Sequence, residues 1–240
     1  MSKKRLDQAL VTRRLVASRS QAESWIKLGK VKVDNKTIAK AGFFVSDSAR
    51  ITLDAPNQYV SRAGLKLASV ASILKIDFKN KIVLDVGSST GGFTDFSLQH
   101  GAKKVVAVDV GTQQLHPSLR SNKKIDLHEK TDIRGVILDE KPDIIVIDVS
   151  FISLREILPH IAKNLTKDTT HIIAMVKPQF EAGKTQASKG VIKNNTIRRE
   201  ILRDFESWVK ELFVIQNKAD SEVSGSKGNQ ERFYLLKAIH

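Results

Sequence analysis

The sequence predicts an α/β protein: a mostly parallel, doubly wound, seven-stranded sheet between layers of helix, preceded by a small α+β unit. Two observations carry the larger part. From residue 82 onward, short apolar runs of β-favouring type alternate with stretches of helical periodicity, the pattern of a parallel sheet covered on both faces. A glycine-rich turn, Gly87-Ser88-Ser89-Thr90-Gly91-Gly92, lies between the first such run and the helix after it. The third observation is charge, a net +14 over 240 residues. Residues 1–60 carry 12 basic and 5 acidic side chains, a net +7, and residues 61–240 carry 28 and 21, again +7. Half of the excess lies on a quarter of the chain, which marks that quarter as a separate unit suited to a polyanion.

Taking the elements in order, Leu6, Ala9 and Leu10 share one face of a first helix. Residues 11–17, with Arg13 and Arg14, turn into Ser18-Arg19-Ser20-Gln21-Ala22-Glu23. There Ser20 and Glu23 have the capping-box spacing and open a second helix through Trp25, Ile26 and Leu28. Trp25 falls at helical spacing and belongs to the core, and Gly29 closes the helix. Val31-Lys32-Val33 alternates as a short strand, Asp34-Asn35 turns the chain, and residues 49–53 make a last strand. Residues 54–58, with Pro56 and Asn57, form a linker. The expected division is therefore 1–58 and 59–240.

Beyond the linker, residues 59–67 lead into a helix that runs to residue 74. Strands are expected over 82–85, 105–109, 125–129, 144–148, 171–177, 212–216 and 232–238. Helices over 93–99, 154–163 and 195–210 lie between them.

The glycine-rich turn narrows the ligand. A phosphate-binding P-loop needs Lys and then Ser or Thr directly after its last glycine; Gly87 and Gly92 have the right separation, but Phe93 follows. A dinucleotide fingerprint needs a glycine two residues after the first, and Ser89 stands there with its Cβ in the way. What remains is an acid at a strand end, Asp85, and a second strand ending in another, Asp109. Asp109 suits two ribose hydroxyls and Asp85 suits a cationic ligand. A nucleoside with no phosphate and a positive centre is S-adenosylmethionine. The competing reading is the glycine-rich turn of any doubly wound fold.

Composition excludes several chemistries. With no cysteine there is no disulfide, thiolate metal site or cysteine nucleophile. The six histidines show no metal-ligand spacing, so no metal is expected. No apolar run approaches the length of a membrane span. The basic start, Met1 to Asp7, has no apolar core behind it and does not read as a secretory signal. A cytoplasmic protein with no membrane partner is the expectation.

In an open parallel sheet the ligand lies beyond the carboxyl ends of the strands. The polar residues there are Asp85, Asp109, Asp132, Asp148 and Lys177, while Ser150 or Ser153 suits the cap of the helix after Asp148. Lys177 follows the apolar run Ile172-Ile173-Ala174-Met175-Val176, where a lysine is costly unless paired or used. Asp148 is its natural partner. The pair reads either as a rim ion pair or as a site where Lys177 acts as general base.

Two resemblances complete this reading. The residues Ser18-Arg19, Ala22, Ile26, Gly29, Val31 and Val33 reproduce a run that resembles the S4-type RNA-binding domain. That resemblance implies phosphate contacts from Arg5, Arg13, Arg14, Arg19, Lys27 and Lys30, with Arg62 just beyond the domain as a further RNA-binding candidate. Ser61–Leu67, Asp85-Val86-Gly87-Ser88-Ser89-Thr90-Gly91-Gly92-Phe93-Thr94-Asp95, Asp148-Val149-Ser150-Phe151 and Met175–Glu181 resemble the FtsJ-type ribose 2′-O-methyltransferases, a Rossmann-like fold. With both parts in this order, the chain resembles the TlyA family of ribosomal RNA cytidine 2′-O-methyltransferases, often labelled haemolysins. The resemblance implies a catalytic tetrad of Lys66, Asp148, Lys177 and Glu231, with Glu222 as a rival for the last place. It implies S-adenosylmethionine held by Asp85, Gly87, Ser88, Gly91, Gly92, Phe93, Asp109 and Asp132, and ribosomal RNA or a ribosomal subunit as partner. Ala182, where the family usually carries Val, is a small departure. The alternatives are a membrane-active haemolysin and an RNA-binding assembly factor without catalysis.

Overall fold

The computed structural model describes residues 3–16, 18–54, 59–182, 191–192, 194–225 and 228–239. Most of the expected linker, residues 55–58, lies outside them, as does the Ser20 hydroxyl.

The N-terminal unit runs β1 (Lys3–Arg5), α1 (Leu6–Thr12), α2 (Arg19–Lys27), β2 (Val31–Val33), β3 (Lys36–Thr37), β4 (Phe44–Ser46) and β5 (Ile51–Leu53). The helices bury Leu6, Ala9, Leu10, Ala22, Trp25 and Ile26 over an antiparallel β3-β2-β5 sheet, and β1 pairs with β4. The cap of α2 is Ser18, not Ser20. Its extended backbone lets its Oγ accept from the Gln21 N–H at 3.2 Å. Gly29 takes a left-handed φ of +67° and ends the helix, with Lys30 N–H returning to the Trp25 carbonyl at 3.0 Å. Asp34 and Asn35 both take positive φ, as a two-residue hairpin turn requires. The β1–β4 ribbon was invisible in sequence because Lys3-Lys4-Arg5 carries no apolar alternation.

The larger unit runs α3 (Arg62–Leu74), β6 (Ile82–Val86), α4 (Gly92–Gln99), β7 (Lys104–Val108), α5 (Pro117–Arg120), β8 (Ile125–His128), β9 (Ile144–Ile147), α6 (Leu158–His160), β10 (His171–Val176), α7 (Pro178–Glu181), α8 (Asn195–Val209), β11 (Phe213–Asp220) and β12 (Arg232–Ala238). The seven strands stand in the order β11-β12-β10-β9-β6-β7-β8, and only β12 and β11 run antiparallel to their neighbours. Every residue of β6 and β9 is buried, β9 as its unbroken apolar run requires and β6 with Asp85 as its one polar residue. The expected helix over 154–163 is broken instead into a 3₁₀ turn, the short α6 and a π turn over Ile161–Leu165. Pro159 explains this, because it has no N–H for a continuous ladder.

The strand after β6 lies on one side of it and β9 lies on the other, so the chain reverses direction across the sheet at β6. A crevice opens beyond the carboxyl ends of β6 and β9, which is where such sheets bind ligands. The two units share one apolar cluster, and Gln21 Nε2 donates to the Tyr59 carbonyl at 3.2 Å.

Candidate active site

The loop after β6 turns on Gly87, whose φ is +80°. A Cβ there would stand 2.7 Å from the Asp148 carbonyl oxygen, so this glycine lets the β6 loop lie against the end of β9. Gly92 does a packing job: its Cβ would meet Ala63 Cβ at 2.7 Å and Gly64 N at 2.8 Å, where α3 crosses α4. Gly91, with φ +88°, caps α4 under Leu115 and Leu119.

Gly87, Asp109 and Asp132 line a cavity of about 440 Å³, together with Ser89, Gln114 and Ile133. Asp109 is held by two backbone donors, Ser89 N–H at 2.8 Å and Gly111 N–H at 2.7 Å. Asp132 caps the following 3₁₀ turn, and the Arg134 guanidinium at 2.6 Å holds its carboxyl down at about 2. Asp85, Ser88 and Phe93 line a smaller adjoining cavity of about 70 Å³ that shares Gly87, Ser89 and Asp148 with the larger one. Asp85 is fully buried. Burial pushes its carboxyl up to about 7, against a 2.6 Å hydrogen bond from Thr94 Oγ1, and the nearby Asp148 adds to the rise. Asp85 Oδ1 and Ser88 Oγ are buried without a hydrogen-bond partner. Buried polar atoms are normally satisfied, so two orphans facing one small cavity suit a polar ligand end. The residues present therefore fit a nucleoside with a charged amino-acid tail.

The four expected catalytic side chains come together around Asp148, which lines both cavities. Lys66 comes from the second turn of α3, Asp148 follows β9, Lys177 follows β10, and Glu231 precedes β12. Lys66 Nζ lies 2.7 Å from Glu231 Oε2, and Lys177 Nζ lies 2.6 Å from Asp148 Oδ1. Burial raises the Glu231 carboxyl above its ordinary value, and Asp148 adds to the rise, while Lys66 and Lys177 oppose it. The two pairs thus form one electrostatic cluster. Glu222 is exposed and does not enter it. Sequence reasoning missed two members. Ser150, expected as a possible helix cap, accepts instead from Lys177 Nζ at 2.7 Å, and Ser153 does the capping. Phe151 takes a left-handed φ of 68° with its ring 92% exposed, lining the larger cavity; only the tertiary turn reveals this.

The basic candidates divide. Arg5 and Arg19 pair with the buried Asp7 at 2.9 and 2.8 Å, and Arg13 donates to the carbonyls of Ala49, Ser46 and Asp47. These three shape the fold, with Arg5 and Arg19 still partly exposed. Arg14, Lys27 and Lys30 are exposed. Lys27 and Arg62 line one cleft of about 190 Å³ between the two units, with Glu23 and Gly225. Arg62 stands one helical turn before Lys66, so this cleft borders the tetrad.

Comparison with known proteins gives the family of each unit. Residues 59–238 match the family model described as FtsJ-like methyltransferase, and residues 4–51 match that of the S4 domain. The "23S rRNA (cytidine-2'-O)-methyltransferase TlyA" of Campylobacter jejuni is 45% identical over 73% of this chain and 70% of its own. "Hemolysin A" of Brachyspira hyodysenteriae is 39% identical over 98% of this chain and 99% of its own. The "16S/23S rRNA (cytidine-2'-O)-methyltransferase TlyA" of Mycobacterium tuberculosis is 37% identical over 97% and 89%. A solved structure of a hemolysin-named protein from Streptococcus thermophilus superposes with a TM-score of 0.73 at 35% identity, covering 100% of this chain and 90% of that one.

Proposed function

The chain belongs to the TlyA family of FtsJ-like methyltransferases with an S4 domain, and from that premise we propose that it methylates a ribose 2′-hydroxyl, on a cytidine of ribosomal RNA, with S-adenosylmethionine as donor. The observation that carries this reading is the convergence of Lys66–Glu231 and Asp148–Lys177 beside a cavity with an acid at each of two strand ends. The S4 domain anchors the RNA, in the cytoplasm where ribosomal subunits reside.

S-adenosylmethionine supplies an activated methyl group and a good leaving group. This chain's residues do the rest. Asp109 offers its carboxylate to the ribose diol, kept in place by the Ser89 and Gly111 amides. Asp85 and Ser88 receive the charged amino-acid end with the atoms that lack partners. In its neutral amine form Lys177 Nζ takes the proton from the 2′-hydroxyl as the oxygen attacks, becoming the ammonium that pairs with Asp148, and Asp148 and Ser150 hold that nitrogen in position. Lys66, oriented by Glu231, positions the hydroxyl. Alignment supplies most of the rate, since transfer of a methyl needs little covalent help. The Hemolysin A name of one relative adds no second mechanism: among the described residues no helix is long and apolar enough to cross a membrane.

The test is transfer of labelled methyl to ribosomal subunits purified from cells lacking this protein. The expected result is a 2′-O-methyl in one subunit or both, lost in Lys177→Ala. An alanine variant at the wild-type rate would remove Lys177 from the chemistry. Cofactor binding with no label on any subunit would leave an RNA-binding protein.

A further inference from the structure

Asp148 and Lys177 close the ends of neighbouring parallel strands; Asp148 is followed by a turn and a 3₁₀ turn, and Lys177 by the single-turn helix α7. Glu181, at the end of α7, joins the two segments. Its Oε2 accepts from Ser153 Oγ at 2.5 Å and its Oε1 from Leu154 N–H at 2.8 Å. The Arg155 guanidinium lies 3.8 Å from Oε2 and passes the link to Asp204 of α8 at 2.6 Å. The Glu181 side chain is 2% exposed, and burial raises its carboxyl while Ser153 and Leu154 oppose the rise. Above this clamp the rings of Phe151 and Phe180 stand 5.4 Å apart.

A buried carboxylate needs donors, and among the described residues this one takes them from Ser153, Leu154 and Arg155, in the segment that follows Asp148, Ser150 and Phe151. That segment has a reason to need holding. Phe151 sits at positive φ without being glycine, a conformation that persists only where the surroundings enforce it. If the segment relaxed, Ser150 Oγ would leave Lys177 Nζ and the strand-end pair would lose its fixed geometry.

We propose that Glu181 is a positioning residue for the transfer: its carboxylate locks the turn over residues 149–154 onto the Lys177 segment, holding Ser150 and Phe151 in their working places. This rests on the methyltransferase reading above, and it assigns Glu181 no contact with substrate or cofactor.

Glu181→Ala removes the clamp, and Glu181→Gln keeps its shape while losing charge, which guards against a variant that fails to fold. Amide hydrogen exchange of the ligand-free protein reads the turn directly, and exchange over 149–154 is expected to rise in both variants while β9 and β10 stay protected. In methyl transfer to ribosomal subunits, kcat is expected to fall on the order of 10- to 100-fold for Ala and less for Gln, because small misplacements at a reacting centre are costly. Affinity for S-adenosylmethionine, by calorimetry, is expected to fall at least tenfold less than kcat. Unchanged exchange over 149–154 would overturn the proposal. So would a loss of kcat matched by equal losses in cofactor affinity and melting temperature, which marks a merely structural role. A wild-type protein that methylates no RNA would instead overturn the enzymatic reading, and the exchange result would still decide the clamp.

Discussion

Glu231 meets Lys66 at 2.7 Å from the opposite end of the larger unit, and both side chains are at most 10% exposed. Neither charge could be buried there alone, since an isolated ion in such a place loses more hydration than the fold returns. The pair ties α3, which leads in from the S4 domain, to the start of β12. It makes the position of Lys66 a property of two distant segments.

Removing one partner is therefore worse than removing both. Glu231→Leu leaves the Lys66 ammonium buried and unpaired and is expected to destabilise the protein by about 3–5 kcal/mol. Lys66→Met combined with Glu231→Leu is expected to recover most of the melting temperature while staying inactive. Denaturant unfolding of the two variants checks this. A double variant no more stable than the single one would mean that the pair matters for shape rather than charge.

Asp85 predicts a pH dependence with a definite sign. Its folded carboxyl is raised to about 7, above an unfolded value near ~4. Between those values the folded state holds a proton that the unfolded chain has released. The contribution thus favours folding at low pH and is lost as pH rises through about 7. Asp85→Asn, whose amide oxygen still accepts from Thr94, is expected to raise the melting temperature of the ligand-free protein most at pH 8 and much less at pH 5, where only a small part of the contribution has been lost. The stability gain at pH 8 is on the order of a few kcal/mol. The same variant is expected to bind S-adenosylmethionine more weakly at pH 8. An equal thermal shift at both pH values would assign the effect to packing.

The cations of the N-terminal unit and of the adjoining start of α3 separate into two classes of behaviour. Lys27→Ala and Arg62→Ala, at the cleft beside the tetrad, are expected to weaken RNA binding and lower the salt slope by about one each, with little change in melting temperature. Arg13→Ala withdraws the donors from three carbonyls and is expected to lower the stability of the S4 unit first. Filter binding across a salt series, beside thermal melts, distinguishes them. A stable Arg13→Ala that loses RNA binding would move Arg13 into the contact surface.

Much of this was legible in the chain. Unbroken apolar runs marked the buried strands β6, β9 and β10, and the turn Asp34-Asn35 and the stop at Gly29 showed where the small unit bends. Local pattern misled in two places: Ser20 offered a better capping box than Ser18, and Pro159 was absorbed into a helix that it divides. In both cases the geometry of one residue overrode the spacing of its neighbours.

The sequence by itself determined the fold class, the order of the units and the identity of the charged residues at the strand ends, because hydrophobic period and glycine placement are local properties. Only the tertiary structure decided which charges meet. It chose Glu231 over Glu222 for Lys66, gave Ser150 rather than solvent to Lys177, and turned Arg5, Arg13 and Arg19 partly inward. It also made Glu181 the partner of the Ser153–Leu154 turn. Those pairings depend on strand order and on burial from several directions, and no spacing along the chain encodes either.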